Sequence, residues 1–257
     1  MFVLLSLYSS FNGLTQISPP GLGKAKDASW LAFGIRQEIG HHWQSMSYVG
    51  IGRKSNPDNF NLVQKQSIWI LNQEFTYKFR KVWQTSVAIS YRRQDEYESS
   101  FPYEHESPRQ KQEFRIYGRF AYNYRFGNFK LVPTIRQEFR KYFTPNFSSP
   151  SENLQLRSRF RLQLIASLNK AKTQAITLSS EQLFGTSLLS TGNWTSFNYS
   201  ESRFGIYYSY SFVNKPVILS IGYMNNLVGK KKPYDVHYLS VDVVWENPFG
   251  NVGKVRK

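Results

Sequence analysis

Residues 113–126, EFRIYGRFAYNYRF, decide the fold. Every second residue from Phe114 (Ile116, Gly118, Phe120, Tyr122, Tyr124, Phe126) is apolar, aromatic or glycine. The interleaved set is Glu113, Arg115, Tyr117, Arg119, Ala121, Asn123 and Arg125. A helix would scatter these residues around its circumference, whereas a strand sends them to opposite faces. At about 3.3 Å per residue the stretch is long enough to cross a tilted hydrocarbon layer, roughly twice the length of an ordinary soluble strand.

The same period of two recurs along the chain. Leu31, Phe33 and Ile35 alternate with Ala32, Gly34 and Arg36; Trp69, Leu71, Phe75, Tyr77 and Phe79 with Asn72, Glu74, Thr76 and Lys78. Trp83 to Tyr91 alternate with Gln84 to Arg92, Phe204 to Phe212 with Arg203 to Ser211, and Leu239 to Trp245 with Tyr238 to Glu246. Short connections are expected near 40–42, 80–82, 127–128, 169–172 and 213–216, and long polar ones near 54–65, 94–110, 142–152, 185–197 and 227–234. Short turns at one end and long loops at the other form the layout of an outer-membrane barrel, with Gly127-Asn128 as a two-residue hairpin turn. The expected fold is therefore all-β, an antiparallel transmembrane up-and-down β-barrel. The pattern counts about 11 strands, and because bacterial barrels normally have an even number, 10 or 12 are expected. Residues 17–28 (ISPPGLGKAKDA) make a poor extra strand, and Pro133 inside a strand predicts irregular pairing.

Composition narrows the alternatives. The 257 residues include no Cys, so disulfides and thiolate chemistry are excluded. Aromatic residues make up 17%, roughly twice the usual share, while overall hydrophobicity is only 40%. The sequence has no apolar run long enough for a membrane helix, but alternation lets a barrel hide its apolar face in a modest average. A soluble β-sandwich or lipocalin-like barrel would have shorter strands. The formal charge of +16 raises nucleic acid as a partner, but arginines and aromatics fall on opposite faces of the same strands and form no stacking platform. Residues 1–15 are expected to be a signal peptide, with the apolar run FVLLSLY and a cut before Gln16, although no Lys or Arg precedes the run. Residues 16–29 then form an N-terminal extension, 30–249 the barrel and 250–257 a basic tail. The expected location is the outer membrane of a Gram-negative bacterium.

Several segments carry a family resemblance: ISPPGLGKAKDASWLAFGIRQ from Ile17, GRKSNPDNFN from Gly52, SYRRQDEYES from Ser90, KQEFRIYGRF from Lys111, RQEFRKYF from Arg136, and YMNNLVG with DVHYLSVDVVWENPF between Tyr223 and Phe249. Together they resemble the outer-membrane barrel family catalogued as domain of unknown function 2490, in its Bacteroidota branch. The resemblance implies a barrel and an outer-membrane address; it carries no activity, ligand or catalytic residue.

The chemistry-bearing pattern is acid–base pairing on the inward face. It comprises Arg36 and Glu38, Glu74, Glu113 and Arg115 with Arg119, Arg136, Glu138 and Arg140, the row Arg157, Arg159 and Arg161, then Glu181, Glu201 and Arg203. Arg and Glu supply donors and acceptors to each other, so a narrow lumen can be filled by a self-satisfied network. The competing reading is a cation-rich constriction selecting anions, as in a narrow porin-like channel. No cofactor or metal is expected. A membrane-embedded hydrolase would use His237 with Ser200 or Ser220, but nothing in the sequence singles them out. The acidic stretch 94–107 reads as a solvated loop or a calcium or partner contact. Expected partners are outer-membrane lipid and lipopolysaccharide phosphates, met by Lys230, Lys231, Lys232 and the tail from Lys254 to Lys257, with protein partners through the extracellular loops. A non-enzymatic role in a larger outer-membrane complex is the alternative to a channel or inert envelope barrel.

Overall fold

The computed structural model describes residues 17, 19–80, 82–230 and 232–250. The expected signal segment, Lys231 and the tail beyond Gly250 lie outside them. Twelve strand segments follow one another: β1 (Asp27–Ile39), β2 (Trp43–Lys54), β3 (Lys65–Phe79), β4 (Trp83–Tyr97), β5 (His105–Tyr122), β6 (Tyr124–Phe126), β7 (Phe129–Phe143), β8 (Leu154–Ser167), β9 (Gln174–Leu188), β10 (Asn198–Ser211), β11 (Val217–Val228) and β12 (Tyr234–Glu246). Each pairs with its neighbour in sequence order except β5 and β6, β6 pairing with β7 alone, and the ring closes through β1–β12 and β5–β7. The result is a closed β-barrel of eleven staves, with β6 outside the ring count.

β6 continues the line of β5. The register Ala121↔Thr134 between β5 and β7 runs on without slip to Tyr124↔Leu131 between β6 and β7. The gap falls opposite Pro133, which has no N–H to give to the ladder. On its other side Pro133 keeps its place opposite Leu162 without a bulge. The expected irregularity is therefore an interruption of one ladder only.

An odd ring cannot be antiparallel throughout. The seam between β1 and β12 is parallel, from Asp27↔His237 to Arg36↔Glu246. The expectation of 10 or 12 antiparallel strands is corrected accordingly: the ring closes with eleven, its first stave starting at the loop end, and among the described residues no strand precedes β1 on the wall. The short connections expected at five places fall between strands at one end, and the long ones at the other. The acidic stretch 94–107 is less of a loop than expected. β4 and β5 stay paired out to Tyr97↔His105, with a register shift after Asp95, because a strand wetted on both faces needs no apolar alternation.

The chain reaches the loop end from within. The described residues of the 17–26 segment lie in the lumen instead of extending the sheet. Ile17 and Leu22 are buried. The Arg203 guanidinium donates to the Pro19 carbonyl at 3.1 Å, the Leu22 amide donates to the Tyr238 hydroxyl at 3.1 Å, and the Lys54 ammonium donates to the Leu22 carbonyl at 2.9 Å. Ile17 lies beside Gly34, well down the wall, while Lys26 bonds to the Asn56 carbonyl at the loop rim. Small residues make room on this wall. A side chain at Gly50 would overlap the Trp30 ring, and one at Gly52 would meet Leu22 at 3.2 Å. The apolar core is this inner strip, with Leu22, Ala28, Trp30, Ile68, Ile70, Met224 and Val236.

The outer face is the reverse. Leu31, Leu71, Val87, Ile89 and Ile116 are each more than half exposed. Aromatic rings gather at the two ends of this belt. At the turn end a run of neighbouring rings passes through Trp43, Tyr77, Phe79, Phe120, Trp83, Tyr122, Tyr124, Phe126 and Phe129. At the loop end Tyr91, Phe114, Phe143 and Phe147 form one group and Phe160, Phe184 and Phe197 another.

Candidate functional site: the arginine–glutamate lumen

The inward rows of β5, β7, β8, β9 and β10 meet across the lumen. The strand registers put like charges opposite one another: Arg115↔Arg140, Arg119↔Arg136 and Arg136↔Arg159. Such pairs repel, so carboxylates at diagonal positions are required, and they are present. Glu113 accepts from Arg115 Nε at 2.6 Å and from Arg140 Nε and Nη2 at 3.0 and 2.8 Å. Glu138, fully buried, is shared by four guanidiniums: Arg159 at 2.7 Å, Arg136 at 2.8 Å, Arg157 at 2.9 Å and Arg115 at 3.2 Å. Of these, Arg157 makes an aligned hydrogen bond; Arg136 and Arg159 meet Glu138 Oε1 as charge contacts without hydrogen-bond alignment.

The lattice spreads from this centre. Glu181 meets Arg159 at 3.4 Å and Arg203 at 3.7 Å. Glu201 meets Arg203 at 2.8 Å and Arg157 at 3.5 Å, and accepts from Asn226 at 2.9 Å. Glu74 pairs with Arg119 and accepts from the Tyr117 hydroxyl at 2.7 Å, while the Arg136 guanidinium stacks 3.4 Å over the Tyr117 ring. Arg161 lines the space below. Thirteen of the fifteen residues singled out from the sequence thus belong to one connected region. Arg36 and Glu38 are apart from it at the turn end, and they do not pair with each other. Arg36 bonds across the parallel seam to Glu246 at 2.8 Å, and Glu38 lies 3.5 Å from Lys78.

Two cavities flank the lattice. The larger, about 530 Å³, lies at the loop end and is lined by residues of β4, β5, β7, β8 and β10 and by Gly21 and Gly23 of the inner segment. The smaller, about 80 Å³, lies deeper, between Ile17, Pro19 and Pro20 on one side and Tyr117, Arg119 and Arg136 on the other. Arg92 lines both. Arg92 was not among the residues selected from the sequence. It appeared there only as the last member of an alternating row, beside the outward Arg93. Its significance comes from ring order, which no local pattern encodes.

The other candidates come apart. His237 points outward, with its Nδ1 2.6 Å from the Tyr223 hydroxyl and its Nε2 3.0 Å from Asp235. Ser220 points into the lumen, where it bonds to Ser209 at 2.8 Å, and Ser200 lines the loop-end cavity. Histidine and serines thus sit on opposite sides of the wall, and no nucleophile–base pair forms between them. Among the described residues no group of three or more His, Asp or Glu side chains is placed to hold a metal ion.

A family model described as "Protein of unknown function (DUF2490)" matches residues 27–237, the barrel from its first stave into its last. No curated protein matches the chain.

Proposed function

The chain belongs to the DUF2490 family, and from that premise we propose that it is an outer-membrane barrel whose lumen is filled rather than open, an envelope barrel and not a general porin. The observation that carries the reading is the inversion of the barrel: apolar and aromatic residues on an exposed outer belt, charged ones inside. On β4 the belt runs from Trp83 in one aromatic group to Tyr91 in the other. Those eight steps span about 26 Å along the strand, or about 20 Å along the axis at a tilt of ~40°, close to the ~25 Å apolar band of outer-membrane barrels. A water-soluble protein rarely leaves so continuous an apolar surface uncovered. Arg53, Arg93 and Lys141 sit on outward positions near the loop rim, where lipopolysaccharide phosphates would meet them. The closed lumen rests on two layers, the Arg/Glu lattice and the inner segment bonded to Arg203, Tyr238 and Lys54.

The test has two stages. Membrane fractionation with gel mobility before and after boiling should place the chain in the outer membrane as a heat-shifted band. In planar bilayers the full chain should give no steady porin-sized conductance, whereas a variant lacking residues 1–26 should conduct. A soluble, unshifted protein refutes the membrane reading. Steady open conductance from the full chain refutes the filled lumen.

A further inference from the structure

We propose that the loop-end cavity is a binding site for a small saccharide bearing one compact oxyanion, a carboxylate or a phosphate, and that Arg92 takes the anion. The inference rests on the barrel interior and stands or falls separately from the membrane reading. Arg92 is only 8% exposed and lies directly opposite Glu113 across the β4–β5 ladder. It nevertheless gains no bond from that carboxylate. Glu113 Oε1 is taken by Arg115 and Arg140, and Oε2 by Arg140. Arg92 is the third guanidinium beside one carboxylate. Among the described residues it makes no hydrogen bond or ion pair, and its buried Nε has no acceptor. A buried charge in a folded protein is ordinarily paired. A guanidinium left over offers a planar fork suited to a carboxylate or phosphate.

The rest of the cavity fixes the kind of molecule. Lys111 supplies a second cation, its ammonium 4.2 Å from the Tyr142 ring centre. Gln94 and Asn198 bring amides, and Tyr234 brings a ring face and a hydroxyl. Amides and hydroxyls match the hydroxyl groups of a sugar, and a tyrosine face matches its C–H face. Glu96, Glu113 and Glu201 also border the space. They accept from hydroxyls but repel a second negative charge, so the ligand carries one anionic group and not several. A volume of about 530 Å³ falls within the ordinary range for small-molecule sites.

The experiment is calorimetric titration of the full-length, detergent-folded barrel with four probes: glucuronate, glucose 6-phosphate, glucose and inorganic phosphate. At least one acidic sugar should bind saturably, with glucose at least about tenfold weaker. Glucuronate above glucose 6-phosphate assigns a carboxylate, and the reverse order assigns a phosphate. Arg92→Gln should weaken binding by about tenfold or more, the loss of one charged hydrogen bond, and Arg92→Lys should recover part of it. Ser196→Trp, on the exposed loop that borders the cavity, should block binding without touching the lattice, which keeps the test decisive if Arg92→Gln does not fold. The proposal is overturned if neither acidic sugar binds at millimolar concentration, if glucose binds as well as they do, if inorganic phosphate alone matches the sugar phosphate, or if folded Arg92→Gln or Ser196→Trp binds like the parent.

Discussion

Replacing Glu138 with Gln removes a carboxylate that four guanidiniums share at 2.7–3.2 Å in a fully buried position. Four charge-assisted contacts at about 1.5–3 kcal/mol each would sum to more than ~6 kcal/mol if they were independent. They are not. Arg115 also has Glu113, Arg157 has Glu201 and Arg159 has Glu181, so three of the four keep a second partner. Arg136 keeps only the face of Tyr117 among the contacts described above. The expected loss is therefore that of a broken buried ion pair, about 3–5 kcal/mol. With a urea dependence of about 3 kcal/mol per molar for a chain this size, the unfolding midpoint should fall by about 1–1.7 M. Urea titration of the detergent-folded barrel, followed by tryptophan fluorescence and loss of the heat-shifted gel band, measures it. Chloride should restore part of the loss in Glu138→Gln and do little for the parent, because the anion can settle among the uncovered guanidiniums. A midpoint within about 0.3 M of the parent, less than ~1 kcal/mol, would refute the view that Glu138 holds the lattice together.

Two further substitutions probe the two faces of the wall. Gly50→Ala puts a methyl into the Trp30 ring and should cost about 1–3 kcal/mol by overpacking, whereas Gly118→Ala, with nothing within 4 Å of the added carbon, should cost far less; equal midpoints would show that Trp30 yields freely. Leu71→Arg, on the outer belt, should cost about 2–4 kcal/mol in a bilayer and Phe101→Arg, in the loop between β4 and β5, almost nothing. Indistinguishable stabilities in lipid vesicles would place the belt in water.

Much of the barrel was legible because a strand with an exposed apolar belt on one side and a polar lumen on the other has no choice but to alternate. Trp69 to Phe79 and Phe114 to Phe126 could be assigned to faces residue by residue. The turn and loop ends could be told apart by length alone. What escaped was everything that depends on the ring being closed. The odd count visible in the pattern was correct, but residues 17–28 were judged only as a strand, and a segment whose amide bonds to Tyr238, 216 positions away, leaves no local trace. The acid–base rows were legible, but their pairing was not. Arg36 sits two residues from Glu38 in sequence yet bonds to Glu246 across the seam. Arg92 could be recognised as surplus only once β5 and β7 were known to deliver Arg115 and Arg140 to the same carboxylate.

The parallel seam has a consequence for the order of assembly. β1 and β12 descend side by side, so the chain leading into β1 comes up through the ring that those two strands complete. Such a segment is not easily inserted into a finished cylinder crowded with interlocked arginines. The inner segment is therefore best laid against β1, β2 and Trp30 while the wall is still an open sheet, and β12 arrives last, zipping Asp27↔His237 to Arg36↔Glu246 over a needle that is already threaded.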